Sequence, residues 1–153
     1  APAIDLWTLA ATAEALARSG DVAGAEALIG PTAGDCYPCL VARGRIAALK
    51  GDARGADRWF GQAAKQGPSL PPAYAAWGEA KAARGDLEGA IALYREAQAR
   101  GPKWADPLKL EGDALARGGD WKAAAKRYDK AARLAPRWDE LRRERAAALS
   151  FSP

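Results

Sequence analysis

The sequence predicts an all-α fold, a solenoid of repeated helix–turn–helix units. The first observation behind this prediction is a glycine–aspartate pair that recurs every 34 residues, at 51–52, 85–86 and 119–120. The second is the spacing of apolar residues within each half of the period, at intervals of three and four, which is typical of one helix face. Other residue types keep the same period, namely Ala56, Ala90 and Ala124, Phe60, Tyr94 and Tyr128, and Pro68, Pro102 and Pro136.

The segment 71–104 shows how one period is expected to fold. Pro71-Pro72 suits the first turn of a helix, because proline fixes φ and lacks an N–H that this turn leaves unpaired. The first helix is predicted to end at Gly85, which can adopt the left-handed conformation of a helix C-cap. Asp86 is predicted to cap a second helix, which ends before Gly101-Pro102. Each unit is therefore a helix, a tight turn, a second helix and a proline-bearing loop.

Three glycines lie inside predicted first helices, where glycine costs about 0.5–1 kcal/mol relative to alanine. Close approach of the paired helix would explain them. We expect the periodic alanines to lie opposite these glycines and the periodic aromatic rings to fill the wider space in each hairpin. The three glycines are Gly44, Gly78 and Gly112.

The pattern resembles the tetratricopeptide repeat, whose motif has an aromatic residue, a large apolar residue before a glycine, then alanine, an aromatic residue and proline. The matching residues of the middle unit are Tyr74, Trp77, Gly78, Ala90, Tyr94 and Pro102. Those of its neighbours are Leu40, Gly44, Ala47, Ala56, Phe60 and Pro68, and Leu108, Gly112, Leu115, Ala124, Tyr128 and Pro136. Two residues depart from the motif, since Arg43 and Glu111 stand where a large apolar residue is usual. The resemblance implies a right-handed α-solenoid, or superhelix, of antiparallel helical hairpins.

We expect one domain built from successive hairpins and a terminal helix. Its first part, 1–36, is a degenerate hairpin, because its glycine–aspartate pair precedes the next one by 31 residues rather than 34. The second helix of this hairpin is predicted over about 22–29 and is cut short by Gly30-Pro31. Three repeats follow, and the last part is a capping helix with a tail. The boundaries of these later parts are 37–70, 71–104, 105–138 and 139–153.

Composition indicates a folded, soluble chain, with 49% hydrophobic and 27% charged residues and no apolar stretch of the ~18–20 residues that span a bilayer. No targeting signal is visible at the start, and the lack of methionine suggests a processed or excised product.

The net charge of +4 comes from the last third, since residues 101–153 hold 12 basic and 8 acidic residues. A solvated helix face is the favoured interpretation, and a nucleic-acid-binding accessory is the less favoured one, because no aromatic stacking platform accompanies the charge. Nine of the 12 basic residues follow position 120, namely Lys122, Lys126, Arg127, Lys130, Arg133, Arg137, Arg142, Arg143 and Arg145.

Cys36 and Cys39 flank a Tyr-Pro pair in the loop before a predicted helix. The motif cannot attach haem c, because Leu40 follows where histidine is required, and two cysteines without any histidine cannot close a zinc site. Three interpretations stay open: two reduced thiols, a local disulfide, or a redox switch. A disulfide would indicate an oxidising compartment, so the choice between a cytoplasmic and a periplasmic location depends on the state of this pair.

No catalytic constellation is visible, and we expect neither an enzyme nor a cofactor-binding protein. The chain has no histidine, which excludes Ser-His-Asp and Cys-His arrangements and removes the commonest general base. The glycine pair at 118–119 belongs to a turn of the repeat and does not form a phosphate-binding loop.

The resemblance implies that the first helices of successive units line a concave groove that holds a peptide or a partner protein. We therefore expect a protein–protein interaction scaffold. The alternative is a self-associating structural module, which would form a homo-oligomer. The charges along the expected groove alternate in sign. Its residues are Trp7, Glu14, Val41, Arg45, Ala75, Glu79, Lys109, Asp113 and Arg117.

Overall fold

A computed structural model describes residues 4–152, and within this range the chain forms nine α-helices and no β-strand. The prediction of an all-α fold is confirmed. The helices are α1 (Leu6–Arg18), α2 (Val22–Ile29), α3 (Tyr37–Leu49), α4 (Ala53–Gln66), α5 (Pro71–Ala83), α6 (Leu87–Arg100), α7 (Asp106–Arg117), α8 (Trp121–Leu134) and α9 (Asp139–Phe151). None of the helices in the range described is long and apolar enough to cross a membrane.

The turns within the hairpins have the local chemistry that the sequence predicts. Gly85 has a φ of +87°, in the left-handed region that glycine adopts without strain. Asp86 accepts a hydrogen bond from the N–H of Gly89 and so caps α6. The same pairing of a left-handed glycine with a capping aspartate recurs at Gly20-Asp21, Gly51-Asp52 and Gly119-Asp120.

The chain divides into two compact units, one ending at Ala80 and the other beginning at Lys81, so that the boundary falls within α5. In the first unit, α3 contributes to two apolar clusters: Ala42 packs with α1 and α2, and Leu40 packs with Phe60 of α4. In the second unit, Leu108 and Leu141 belong to one cluster that joins α7, α8 and α9.

The helical glycines accommodate aromatic rings. A Cβ atom on Gly44 would lie 2.6 Å from ring carbons of Phe60, and one on Gly112 would lie 2.6 Å from Tyr128. The sequence predicts periodic alanines opposite these glycines, and for these two positions the prediction is wrong. A ring packed against the glycine fills a hairpin more completely than a methyl group does, so the glycine makes room for a large buried side chain of the partner helix.

Candidate binding surface

In the first unit, the first helices α1 and α3 and the start of α5 enclose a cleft of about 170 Å³, which we call the first-helix cleft. Four of the predicted groove residues line it together, and the indole of Trp7, 61% exposed, forms part of its rim. Its principal lining residues are Trp7, Glu14, Tyr37, Val41, Arg45 and Pro72.

Tyr37 fixes the geometry of this cleft. Its hydroxyl accepts a hydrogen bond of 2.9 Å from the N–H of Ala73, the first N–H of α5 after two prolines. The same hydroxyl lies 3.5 Å from the carbonyl oxygen of Leu70. Burial raises the pKa of Tyr37 above its ordinary value, and the hydrogen bond from Ala73 offsets part of this effect. Tyr37 therefore stays neutral and holds the start of α5 against α3.

The polar groups of the cleft centre on Glu14, which is buried. Its Oε2 accepts from Nη1 of Arg45 at 2.8 Å and from Nη2 of Arg18 at 3.3 Å. Because one carboxylate is shared by two guanidinium groups, the arginines retain donors that a ligand could use.

A second cleft of about 190 Å³ lies next to the first, and Arg45 lines both. Glu79 lies on its rim, exposed, while the side chain of Ala75 is buried in the core. Of the predicted groove residues in the first unit, all except Ala75 thus line one or both clefts.

The predicted groove residues of the second unit make intramolecular contacts. Lys109 Nζ lies 2.8 Å from Oδ2 of Asp113 and 3.2 Å from Oε1 of Glu144, which belongs to α9. Asp113 also accepts from the Tyr128 hydroxyl at 2.7 Å. Arg117 donates to the carbonyl oxygen of Ala82 at 2.9 Å. These side chains hold α7 to its neighbours within the unit.

This network perturbs the titration of its members. Burial, reinforced by the Asp113 carboxylate, raises the pKa of Tyr128 well above its ordinary value. Burial and then Asp113 also raise the pKa of Glu144. For Lys109, burial alone would lower the pKa, but its hydrogen bond to Asp113 and its contact with Glu144 outweigh burial and raise it.

The basic side chains of the last third are largely exposed, and several are paired with carboxylates. Arg133 and Arg145 both contact Asp129, Arg142 contacts Asp139, and Arg127 contacts Glu111. These pairs neutralise part of the positive charge of this surface.

Cys36 and Cys39 form a disulfide at the start of α3, with their Cα atoms 5.2 Å apart. Cys36 is also the N-cap residue of α3, and both side chains are buried. A local disulfide is one of the three interpretations that the sequence left open. Free-thiol titration of non-reduced protein would distinguish it from a pair of reduced thiols.

A further cavity, of about 430 Å³, lies beside the C-terminal end of α2 and is not among the sequence predictions. We call it the α2-end cavity. Its walls come from α2, α3 and α4, and they include Ile29, Arg43, Arg58 and Trp59. The signal in the sequence was the early end of the second helix at Gly30, which by itself does not show that the neighbouring helices leave a space there.

The fold is similar to several solved structures. The structure of MamA superposes with a TM-score of 0.76 at 17% identity, over 97% of this chain and 85% of that one. TTC0263, a thermophilic TPR protein of Thermus thermophilus, gives 0.78 at 19% identity, over 93% and 80%. Pseudomonas aeruginosa PilF gives 0.77 at 14% identity, over 93% of this chain and 66% of PilF.

No protein-family model matches the sequence, and no curated protein matches it either. At these levels of identity the structural likeness shows the fold: it is that of tetratricopeptide-repeat proteins, as the 34-residue period predicted.

Proposed function

We propose that this chain, which has the tetratricopeptide-repeat fold, is a protein–protein interaction scaffold that binds a peptide segment of a partner in the first-helix cleft. The fold supports a scaffold role in general terms, since proteins with this fold are typically non-enzymatic scaffolds. The observation that carries the finer proposal is that two clefts lie side by side, with Arg45 in the wall of both.

The chemistry of the clefts indicates the kind of peptide. Trp7, Tyr37 and Val41 offer an apolar wall, and tryptophan and tyrosine are enriched among the residues that contribute most to binding. Arg18 and Arg45 share one carboxylate, so a donor remains for a carbonyl or carboxylate oxygen of the peptide. An extended peptide with one apolar side chain seated against Trp7 fits this arrangement.

The test uses a random-peptide phage library selected on the full chain, followed by binding measurements on the selected peptides. Ala11 is exposed and lines the cleft, so Ala11→Trp should fill the cleft and weaken binding at least about tenfold. Ala15 is exposed on the same helix, one turn further on, and is the matched control. Ala15→Trp should bind as the wild type does.

Two results would contradict the proposal. One is a set of selected peptides that bind the Ala11→Trp variant with unchanged affinity. The other is equal weakening by Ala15→Trp, which would indicate a general change in α1 and not a blocked cleft.

Self-association through α9 is a second candidate, because Leu149 and Phe151 expose apolar surface on that helix, Phe151 being 63% exposed. Light scattering at two protein concentrations separates the candidates. A mass that rises with concentration, and no longer rises in a Phe151→Ser variant, would favour self-association. A mass that stays constant at the monomer value would contradict it.

A further inference from the structure

We propose that the α2-end cavity is a second peptide-binding site, which takes a partner segment that carries a carboxylate next to an apolar side chain. It lies at the junction of α2, α3 and α4 and shares none of its lining residues with the two clefts above.

The cavity is preformed because α2 is short. This helix has 8 residues, whereas α4 has 14, so at a rise of 1.5 Å per residue α2 is about 9 Å shorter than α4. Its end is fixed by Arg43, whose Nη2 donates to the carbonyl oxygens of Ile29, Gly30 and Thr32 at 3.0–3.2 Å. At about 430 Å³ the space has the size of an ordinary ligand pocket.

The uncompensated charge of the cavity is positive. Three cations, Arg43, Lys50 and Arg58, line it against two carboxylates, of which Glu26 pairs with Lys50 at 2.6 Å and Asp52 accepts from the N–H of Gly55 at 2.9 Å. The side chain of Arg58 makes no hydrogen bond or ion pair within residues 4–152. The Nε and Nη1 groups of Arg43 likewise have no acceptor within that range. Two guanidinium groups with unused donors can bind a carboxylate in the two-pronged geometry that arginine favours.

Part of the remaining wall is apolar. Ile29, Ile46 and the ring of Trp59 line the cavity. Both guanidinium groups lie over the Trp59 ring, at 4.9 Å for Arg43 and 4.8 Å for Arg58, which orients the cations and keeps them beside the apolar wall. An acidic side chain can thus meet the arginines while its apolar neighbour covers the indole of Trp59, which is partly exposed.

The experiment follows the indole N–H signals of the full chain by ¹⁵N NMR. The chain has six tryptophans, and the signal of Trp59 is assigned by its loss in Trp59→Phe. The probes are the capped peptide acetyl-Leu-Glu-Leu-amide and its neutral counterpart acetyl-Leu-Gln-Leu-amide. We expect the glutamate peptide to shift the Trp59 signal saturably, and the glutamine peptide to bind at least about tenfold more weakly.

The matched variants are Arg58→Glu and Arg54→Glu, which make the same charge change on the exposed surface of α4, but only Arg58 lines the cavity. Arg58→Glu should weaken binding of the glutamate peptide at least about tenfold, and Arg54→Glu should leave it unchanged. Thermal unfolding of both variants checks that the fold is intact.

The proposal is overturned if the Trp59 signal does not move, if the two peptides bind equally, or if Arg58→Glu binds as the wild type does. Its outcome is separate from that of the first-helix cleft, because Ala11→Trp blocks that cleft and should leave the Trp59 titration unchanged.

Discussion

The α3–α4 hairpin of the first unit and the α7–α8 hairpin of the second have the same core and different surroundings. In both, an aromatic ring of the second helix stands on a glycine of the first, Phe60 on Gly44 and Tyr128 on Gly112. The residue before that glycine differs: it is Arg43 in one hairpin and Glu111 in the other.

The side chain of Arg43 extends from α3 to the neighbouring hairpin of α1 and α2. It satisfies carbonyl groups at the end of α2, which a helix terminus leaves without intrahelical partners, and its charge suits the C-terminal end of the helix dipole. Glu111 is 2% exposed and is paired with Arg95 at 2.8 Å and with Arg127 at 3.3 Å. The residues that keep the 34-residue period build the core of each hairpin. Arg43 and Glu111, which depart from the motif at one position, instead make the contacts between helices that differ between the two hairpins.

The largest expected effect tests the shared core. Gly44→Ala places a Cβ 2.6 Å from the Phe60 ring and should lower the free energy of unfolding by about 1–3 kcal/mol, because a buried ring cannot withdraw. Gly61→Ala on α4 is the control, since its Cβ would lie 3.8 Å from Trp77, an ordinary contact. That variant should be more stable by about 0.5–1 kcal/mol. Urea unfolding measures both, and equal effects would mean that the ring does not rest on Gly44.

The next effect separates the two hairpins. Arg43→Leu removes a charged donor from three carbonyl groups and should cost about 1–2 kcal/mol. Glu111→Leu should change stability by less than about 1 kcal/mol, because Arg95 and Arg127 are 60% and 36% exposed and water can solvate them. Equal losses in the two variants, measured by urea unfolding, would contradict this account of the two positions.

The smallest effect concerns the charge network beside the α7–α8 hairpin. Burial and the Asp113 carboxylate raise the pKa of Glu144 above its ordinary value of 4.5, so the folded chain holds this proton to a higher pH than the unfolded chain. The stability that Glu144 contributes is therefore complete below the unfolded pKa and is lost as the pH rises through the folded pKa. Glu144→Gln should remove this loss.

Urea unfolding across a series of pH values, from below the unfolded pKa of Glu144 to neutral, measures this difference. The stability of the wild type relative to the Gln variant should fall as the pH rises. A difference that does not vary with pH would show that Lys109 and its other partners compensate fully for the buried carboxylate.

Much of the fold could be predicted from the sequence because its signals are local. Gly85 ends a helix through its own positive φ. Asp86 caps the next helix by accepting a hydrogen bond from the N–H three residues ahead. The bounds of α2 agree with the predicted 22–29 for the same reason. The site was less predictable: Val41 lines the first-helix cleft, whereas Ala75, which belongs to the same expected row, lines neither cleft.

The sequence by itself determined the helices, their turns and their period, because capping, glycine conformation and helical spacing depend on residues within a few positions of one another. Only the tertiary structure decided that Glu14 is shared between Arg18 and Arg45, and that the early end of α2 leaves a cavity beside Trp59. The physical reason is the range of the interactions. An ion pair between α1 and α3, or a space between α2 and α4, depends on the distance between packed helices. A short stretch of sequence does not determine that distance.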